Sequence, residues 1–112
     1  MPRLSPQARS GAAKAKSTPP VMELLELVGQ RWTLRILWEL RNGPLTFRAL
    51  QEEGGGLSPT VLNRRLSQLK DTDLIELSLA GYKLTPLGLE LGEKLLDLTR
   101  WAKRWARQRR TS

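Results

Sequence analysis

The segment SPTVLNRRLSQLKD, residues 58–71, places side chains that can bind nucleic acid on one face of a predicted helix. Ser58 is a typical N-cap residue, and Pro59 occupies the first helical position, where its missing N–H costs nothing. At 100° per residue, Leu62, Leu66 and Leu69 form one stripe, which is the predicted buried side. The opposite face carries polar groups and no acid: Thr60, Asn63, Arg64, Ser67 and Gln68.

Side chains of these types suit a DNA duplex. Arginine binds guanine O6 and N7 through two hydrogen bonds, Asn and Gln bind adenine N6 and N7, and hydroxyls bind phosphates or either base. We expect Arg64 to enter the groove, and Ser58 and Thr60 to contact phosphates where the helix N-terminus favours anions. Arg65 lies nearer the core edge and is predicted to contact the DNA backbone, whereas Lys70 is interpreted as a solvated charge. An ordinary solvated helix face is the alternative interpretation.

The composition excludes several kinds of site. The 112 residues include no Cys and no His, so a disulfide framework, a zinc finger, a cysteine nucleophile and a histidine base are all ruled out. Carboxylates such as Glu52, Glu53, Asp71 and Asp73 fall at predicted exposed helix ends, in a chain too short for a second lobe that would form a cleft. We therefore predict no enzyme activity, catalytic residue, metal or cofactor.

The net charge of +8 is concentrated at the two ends of the chain. Residues 1–20 hold four basic residues, residues 98–112 hold six, and neither segment contains an acid. Residues 21–97 hold nine basic and eleven acidic residues, a net charge of −2. Segment 1–19 is predicted to be a disordered basic arm, 20–108 the folded domain and 109–112 a basic tail.

The chain shows no pattern typical of secretion or membrane insertion. Its first residues lack the apolar segment of a secretory signal, and no run approaches the roughly 18 apolar residues that a spanning helix needs. We expect a cytoplasmic protein, associated with the nucleoid when bound to DNA.

Apolar periodicity predicts three helices before residue 58. The first has Val21, Leu24, Leu25 and Val28 on one face and ends at Gly29. The second carries a stripe of Trp32, Ile36, Leu37 and Leu40, and Asn42-Gly43-Pro44 ends it. The third begins at Thr46 as N-cap and buries Phe47, Leu50 and Ala49, with a turn at Gly54–Leu57 after it.

A hairpin and a long helix are predicted after residue 71. Apolar residues alternate through Ile75, Leu77 and Leu79 and again through Tyr82 and Leu84, with Ala80-Gly81 as the turn. Thr85-Pro86 repeats the cap-plus-proline pattern and opens a helix that reaches about Arg107.

This order of elements predicts a winged helix-turn-helix, a mainly α fold with a small β-hairpin and a long C-terminal helix. The helix at 58–71 is its recognition helix and the hairpin is its wing. In this architecture the predicted DNA-binding residues are Thr46, Arg48, Ser58, Thr60, Asn63, Arg64, Arg65, Ser67, Gln68 and Lys83.

The last helix carries a heptad stripe that predicts a homodimer. A chain of this size would struggle to cover both Trp101 and Trp105, although the stripe could also pack on its own domain, and Trp32, Trp38 and Trp101 could equally belong to the core. The predicted dimerisation residues are Leu24, Leu91, Leu95, Leu98, Trp101, Ala102 and Trp105.

Four stretches in the same order resemble the HxlR-type winged-helix transcriptional regulators of bacteria and archaea. They are GQRWTLRILWELRNGPLTFRAL, GLSPTVLNRRLSQLKDTDLI, YKLTPLG and the tryptophan at 101, and they cover residues 21 to about 101. The resemblance implies a homodimeric DNA-binding regulator whose dimer is built from the first and last helices. It also implies that the helix at 58–71 lies in the major groove.

The chain departs from this family in three places. Its wing is short, with Ser78 to Tyr82 around the tip and Lys83 as the one basic residue there. Where the family usually has glycine this chain has Thr72-Asp73, and Asp tolerates the left-handed conformation best. Some members sense oxidants through a cysteine near the N-terminus, a mechanism that a chain without cysteine excludes.

Two other functions remain open from the residues themselves. The basic ends favour a nonspecific architectural DNA-binding protein, and the slightly acidic body favours a winged helix that serves only as a protein–protein module. A sequence-specific regulator of double-stranded DNA is the favoured interpretation.

Overall fold

The computed structural model describes residues 18–111, so the predicted arm lies outside the described residues up to residue 17. The chain divides into two units between Arg31 and Trp32. The first contains α1 (Pro20–Val28). The second contains α2 (Thr33–Glu39), a 3₁₀ turn (Leu40–Asn42), α3 (Phe47–Glu53), α4 (Pro59–Asp71), β1 (Ile75–Ser78), β2 (Gly81–Leu84) and α5 (Pro86–Thr111). The predicted mainly α fold with one hairpin and a long last helix is confirmed.

Helix α1 begins at the predicted proline pair and ends at Gly29, whose N–H donates to the Leu25 carbonyl at 2.9 Å. Burial of its predicted face is incomplete. Val28 is buried and Leu24 half-buried, but Val21 and Leu25 are 56% and 50% exposed. Periodicity identifies the face that a helix can bury, and only part of this face is buried.

The core of the second unit is built from the predicted apolar stripes. Its buried residues are Ile36, Leu37, Leu40, Leu50, Leu57, Leu62, Leu66, Leu69, Leu74, Ile75 and Leu84. Helix α2 packs against both α3 and α5, and α4 packs against β1. Because α4 supplies three of the buried leucines, the core determines which side of this helix faces solvent.

Trp32 does not belong to the α2 stripe as predicted. It precedes the helix as N-cap, with φ 78° and ψ −14°, and is half-buried. A left-handed conformation costs an L-residue about 1–2 kcal/mol. Trp38, another candidate core residue, is 50% exposed and lies under the Arg41 guanidinium, 3.6 Å from the ring centroid.

Helices α3 and α4 form the predicted helix-turn-helix. Thr46 Oγ1 accepts the Ala49 N–H at 3.1 Å, which confirms Thr46 as the N-cap of α3. In α3 Leu50 is buried, whereas Phe47 and Ala49 are half-buried. The glycine-rich turn follows and leads to Ser58, the N-cap of α4.

The wing is an antiparallel hairpin in which Ser78 pairs with Gly81, so Leu79 and Ala80 form its turn. The predicted Ala80-Gly81 turn is wrong by one residue. Gly81 instead opens β2 with φ 124°, and a Cβ added there would lie 2.5 Å from the Leu45 carbonyl oxygen. Leu45 exchanges two backbone hydrogen bonds with Tyr82, of 2.9 and 2.8 Å, and so ties the wing to the chain just before α3.

Thr85 connects the end of α4 to the start of α5. Its hydroxyl donates to the Asp73 carbonyl at 2.6 Å and accepts the Gly88 N–H at 3.0 Å. Asp73 has φ 64°, which confirms that Asp73 rather than Thr72 takes the left-handed conformation after α4. Helix α5 continues to Thr111, beyond the predicted end near Arg107, and is about 39 Å long at 1.5 Å per residue.

Truncating Leu66, which is 1% exposed, will destabilise the fold. We expect Leu66→Ala to lower the free energy of unfolding by about 2–5 kcal/mol, since it leaves a cavity beneath α4. Urea denaturation followed by circular dichroism measures the change. Leu79→Ala, at the exposed wing tip, is the control and is expected to stay within about 0.5 kcal/mol of the unmodified chain. Equal losses for the two variants would contradict the assignment of the core.

Candidate nucleic-acid interface

The face of α4 opposite the core presents the side chains that were predicted to bind DNA. Thr60, Asn63, Arg64 and Ser67 are exposed, and Gln68 is half-buried. Thr60 and Ser67 are about 10 Å apart along the axis at 1.5 Å per residue. The buried leucines are 0–1% exposed, so the helix cannot rotate without exposing them. The structure therefore brings these five side chains together on one solvent-facing surface, which we call the α4 polar face.

The two adjacent arginines of α4 have different environments. Arg65 is half-buried, and its Nη1 donates to Gln68 Oε1 at 3.4 Å. Burial, followed by the positive charge of Arg64, lowers the pKa of Arg65 from its usual value. Arg64 is exposed, and no carboxylate among residues 18–111 forms an ion pair with it. Arg64 is thus the arginine better placed to reach a ligand.

Ser58 combines a structural and a binding capacity. Its Oγ accepts the Val61 N–H at 3.2 Å, which confirms the predicted cap. The hydroxyl hydrogen can still be donated to an oxygen ligand. Because α4 has 13 residues and starts at an exposed segment, its first N–H groups and positive dipole end face solvent beside Thr60. This end of the helix favours an anion.

A carboxylate limits the α4 polar face at its C-terminal end. At 100° per residue, Asp71 falls between Thr60 and Arg64 in angular position, and it is exposed. The expectation that this face carries no acid is therefore wrong for the last turn of α4, because Asp71 lies one turn beyond Ser67. Negative charge there would repel phosphate. The part of α4 suited to DNA is therefore the part that precedes its last turn.

Helix α3 adds two predicted contacts near its start. Thr46 and Arg48 are both exposed. Arg48 Nε lies 3.6 Å from Glu52 Oε2, and the two side chains are 89% and 69% exposed. Such solvated pairs contribute little, so Arg48 can exchange this partner for a phosphate at small cost.

The wing offers little positive charge. Lys83 pairs across the hairpin with Glu76, with Nζ and Oε2 3.9 Å apart. At the tip, Leu79 is fully exposed and Leu77 is largely exposed. Their alternation predicted two apolar positions on one face, but the short hairpin leaves that face uncovered.

The distal half of α5 carries the exposed part of the predicted dimerisation stripe. Leu98, Trp101 and Trp105 are 54%, 49% and 47% exposed, whereas Leu91, Leu95 and Ala102 are half-buried. The Trp101 and Trp105 rings stack with centroids 6.0 Å apart and planes at 9°. Arg109 covers the outer face of Trp105 at 4.5 Å. The stripe thus divides into a proximal part that its own unit covers and a distal part open to solvent.

One interaction near the interface was missed from the sequence. Arg35 of α2 forms an ion pair with Glu39 and a hydrogen bond with the carbonyl of Glu53, the last residue of α3. The i,i+4 spacing of Arg35 and Glu39 was a visible signal for the first contact. The second joins residues 18 positions apart and has no local signature.

Residues 18–111 contain no cluster of three or more potential metal-binding side chains. Over the same residues no helix is both long enough and apolar enough to cross a membrane.

Comparison with known proteins identifies related chains. Residues 27–110 match the family model described as HxlR-like helix-turn-helix. The HTH-type transcriptional regulator MJ0925 of Methanocaldococcus jannaschii is 32% identical over 88 residues, which are 75% of this chain and 83% of that protein.

Two solved structures share the fold. Quinone-bound YodB from Bacillus subtilis superposes with a TM-score of 0.73 at 28% identity, over 78% of this chain and 99% of that one. An HxlR family transcription factor from Thermoplasma volcanium superposes with a TM-score of 0.68 at 28% identity, over 80% and 87% of the two chains. The predicted winged helix-turn-helix architecture is confirmed by these neighbours.

The cap at Ser58 can be tested by stability alone. We expect Ser58→Ala to lower the free energy of unfolding by about 1 kcal/mol, because the Val61 N–H loses its acceptor, and Ser58→Asp to retain it, because Asp is an equally good N-cap. Chemical denaturation measures both. Ser67→Ala is the matched control: this serine is exposed in the middle of α4, where alanine is tolerated or slightly stabilising. A Ser58→Ala variant as stable as Ser67→Ala would exclude a capping role.

Proposed function

The chain belongs to the HxlR-like helix-turn-helix family and is a transcriptional regulator of that type, and from this premise we propose that it acts as a homodimer that reads a specific sequence in double-stranded DNA. The proteins it matches are regulators rather than enzymes. The observation that carries the proposal is the α4 polar face, whose short hydroxyl, amide and guanidinium groups project from a helix held rigidly by its buried side.

The proposed division of roles follows from exposure and partners. Arg64 and Asn63 reach base edges in the major groove, since guanidinium and amide groups can make two hydrogen bonds to one base. Ser58, Thr60, Thr46 and Arg48 bind phosphates around the helix N-termini. Ser67 and Gln68 contact the duplex further along the same face, with Arg65 at its edge and Lys83 on the wing.

Two features support a recognition role for α4 over attraction by charge alone. The described chain between residues 21 and 97 has a net charge of −2, so the body of the protein does not attract DNA by total charge. The α4 polar face combines one exposed arginine with amide and hydroxyl groups, and it is their directed hydrogen bonds that distinguish bases.

Dimerisation is proposed through the distal half of α5. One apolar surface is formed by Leu98, Trp101 and Trp105, and all three side chains are about half exposed. Contact of such a surface with water is unfavourable. The heptad spacing of these residues lets the same stripe on a second copy pack against them. Leu24 in α1 is half-buried beside exposed apolar residues of its own helix and remains a predicted contributor.

A nonspecific architectural function is the second candidate. Residues 98–112 carry six basic residues and no acid, and phosphate binding by such a segment would be independent of sequence. Under this alternative, removing both basic ends of the chain, residues 1–17 and 106–112, would abolish DNA binding, whereas under the proposed function it would weaken binding equally on all sequences.

Site-specific reading predicts a large effect of Arg64. A selection from random duplexes at about 150 mM salt should enrich a two-fold symmetric motif with half-sites roughly one helical turn apart. On that duplex we expect Arg64→Ala to reduce the binding free energy by about 1–3 kcal/mol, because the hydrogen bonds from the guanidinium to the bases are lost. The variant should have little effect on binding to unrelated duplexes. Fluorescence anisotropy measures the dissociation constants for both duplexes, and their ratio gives the specificity.

The control for this measurement is Lys70→Ala, which removes the same charge from an exposed position at the C-terminal end of α4, about two turns beyond Asn63. It is expected to weaken binding slightly and equally on both duplexes. Binding without enrichment, or equal losses from Arg64→Ala and Lys70→Ala, would favour the architectural alternative.

The dimer prediction uses two leucines of α5 with matched exposure. Leu98 and Leu89 are 54% and 52% exposed and lie on opposite sides of the helix at 100° per residue. We expect Leu98→Glu to raise the dimer dissociation constant by about 30-fold or more, because a charge would have to be buried in the interface. Leu89→Glu should leave it unchanged. Sedimentation velocity over a concentration series decides, and a dimer insensitive to Leu98→Glu would refute the proposed interface.

A further inference from the structure

The Arg35 guanidinium makes one hydrogen bond within α2 and one to the end of α3. Its Nε donates to Glu39 Oε2 at 2.7 Å, one turn further along α2. Its Nη2 donates to the backbone carbonyl of Glu53, also at 2.7 Å. Glu53 is the last residue of α3, where a helix leaves carbonyls without an intrahelical partner. Arg35 and Glu39, which we call the α2 clamp, therefore hold the C-terminal end of α3.

Helix α3 is held by different interactions at its two ends. Helix α3 has seven residues, and Leu50 is the buried one among them. Its N-terminal end is fixed by the Thr46 cap and by the Leu45–Tyr82 hydrogen bonds to the wing. At the other end, the Gly54 N–H donates to the Leu50 carbonyl at 2.8 Å, and Arg35 of the α2 clamp donates to the carbonyl of Glu53.

The link from α3 to α4 does not by itself fix the position of that end. Gly55 and Gly56 have φ values of 70° and 95°, and a Cβ added to either would meet no atom within 4 Å. Glycines in open space restrict the backbone least. The first turn of α4 follows directly after this link and buried Leu57, and it comes before the first buried leucine of α4, Leu62.

We propose that Arg35 is a positioning residue for the DNA interface: it fixes the end of α3 and thereby the spacing between the contacts of α3 and those of α4. This inference rests on the proposed function. Arg48 and Arg64 lie on different helices, and both must fit one rigid duplex at the same time. A small rotation of α3 would separate them from their phosphate and base partners while leaving the core intact.

The α2 clamp is suited to positioning rather than to global stability. The Arg35 side chain is 49% exposed and that of Glu39 17% exposed. Ion pairs in such partly solvated positions contribute little to the free energy of unfolding. The two hydrogen bonds are short and come from one planar group, so they restrict geometry more than they add energy.

The test compares Arg35→Gln, Arg35→Lys and the control Arg41→Gln in the full chain. Arg41 is an exposed arginine in the 3₁₀ turn after α2, and its Nη1 hydrogen bonds the Trp38 carbonyl, not α3. Binding is measured on the duplex enriched by the unmodified protein and on an unrelated duplex of equal length. Amide hydrogen exchange of the free protein and the urea midpoint are recorded for each variant.

We expect Arg35→Gln to weaken binding to the enriched duplex by about 2- to 30-fold, the range of couplings transmitted through packed networks. Binding to the unrelated duplex should change as little as for Arg41→Gln. The Gly54 amide should exchange faster, with the urea midpoint nearly unchanged. Arg35→Lys should not restore binding, because one ammonium cannot reproduce the planar fork that reaches both oxygens.

A second substitution tests the mechanism directly. Asn tolerates the left-handed conformation of Gly55 and reduces the freedom of the link. Gly55→Asn should therefore recover part of the affinity lost in Arg35→Gln, and change the affinity of the otherwise unmodified protein little.

The outcomes separate this inference from the proposed function. If no duplex is enriched, the proposed function fails and the inference falls with it. If a duplex is enriched but Arg35→Gln binds it as Arg41→Gln does, only the inference is overturned. Full rescue by Arg35→Lys would also overturn it, because charge rather than geometry would then be sufficient.

Discussion

The burial of Leu62, Leu66 and Leu69 is the constraint on which the rest of this structure depends. The three side chains are almost completely excluded from water, and rotating or sliding α4 would expose them. Exposing a leucine costs about 1.5–3 kcal/mol, so exposing all three would cost about as much as the total stability of a small domain. Helix α4 is therefore held in one orientation. The orientation of the α4 polar face follows from this apolar contact rather than from any polar interaction.

The remaining elements act on the two ends of α4. At its start, the Ser58 cap and buried Leu57 hold the first turn, and α3 precedes them through a glycine link. At its end, Asp73 takes a left-handed conformation and the Thr85 hydroxyl joins it to α5. These are hydrogen bonds of ordinary strength, but they decide where the helix begins and ends. The core determines which side of α4 faces solvent, and the caps determine where the helix begins and ends.

Charge and apolar surface are distributed along α5 in a way that separates its functions. The proximal half contacts α2 and β2 of its own unit, although Leu87 and Leu89 in its first turn are more than half exposed. The distal half exposes Trp101 and Trp105 in a stack that Arg109 extends, within a segment without acids. Each ring is partly covered by the next group along the helix, but Leu98, Trp101 and Trp105 remain about half exposed. This surface still leaves enough apolar area for a second copy to cover.

Short-range patterns in the sequence were enough to predict the order of the elements, the caps at Thr46, Ser58 and Thr85, and the buried leucine stripe of α4. Ser58, Thr46 and Asp73 could be assigned because capping and left-handed turns depend on neighbours within four residues. The leucine stripe of α4 could be assigned because helical periodicity is local. The same patterns, with the order of elements, also determined the winged helix-turn-helix and the α4 polar face.

Only the tertiary structure decided the features that depend on residues far apart in the chain. The hydrogen bond from Arg35 to Glu53 joins two helices, and the position of Gly81 depends on the backbone of Leu45. The hairpin turn moved by one residue because that close approach requires glycine in the strand rather than in the turn. Trp32 takes a left-handed conformation that no local preference favours. Periodicity shows which side chains can be buried, and only packing decides which of them are.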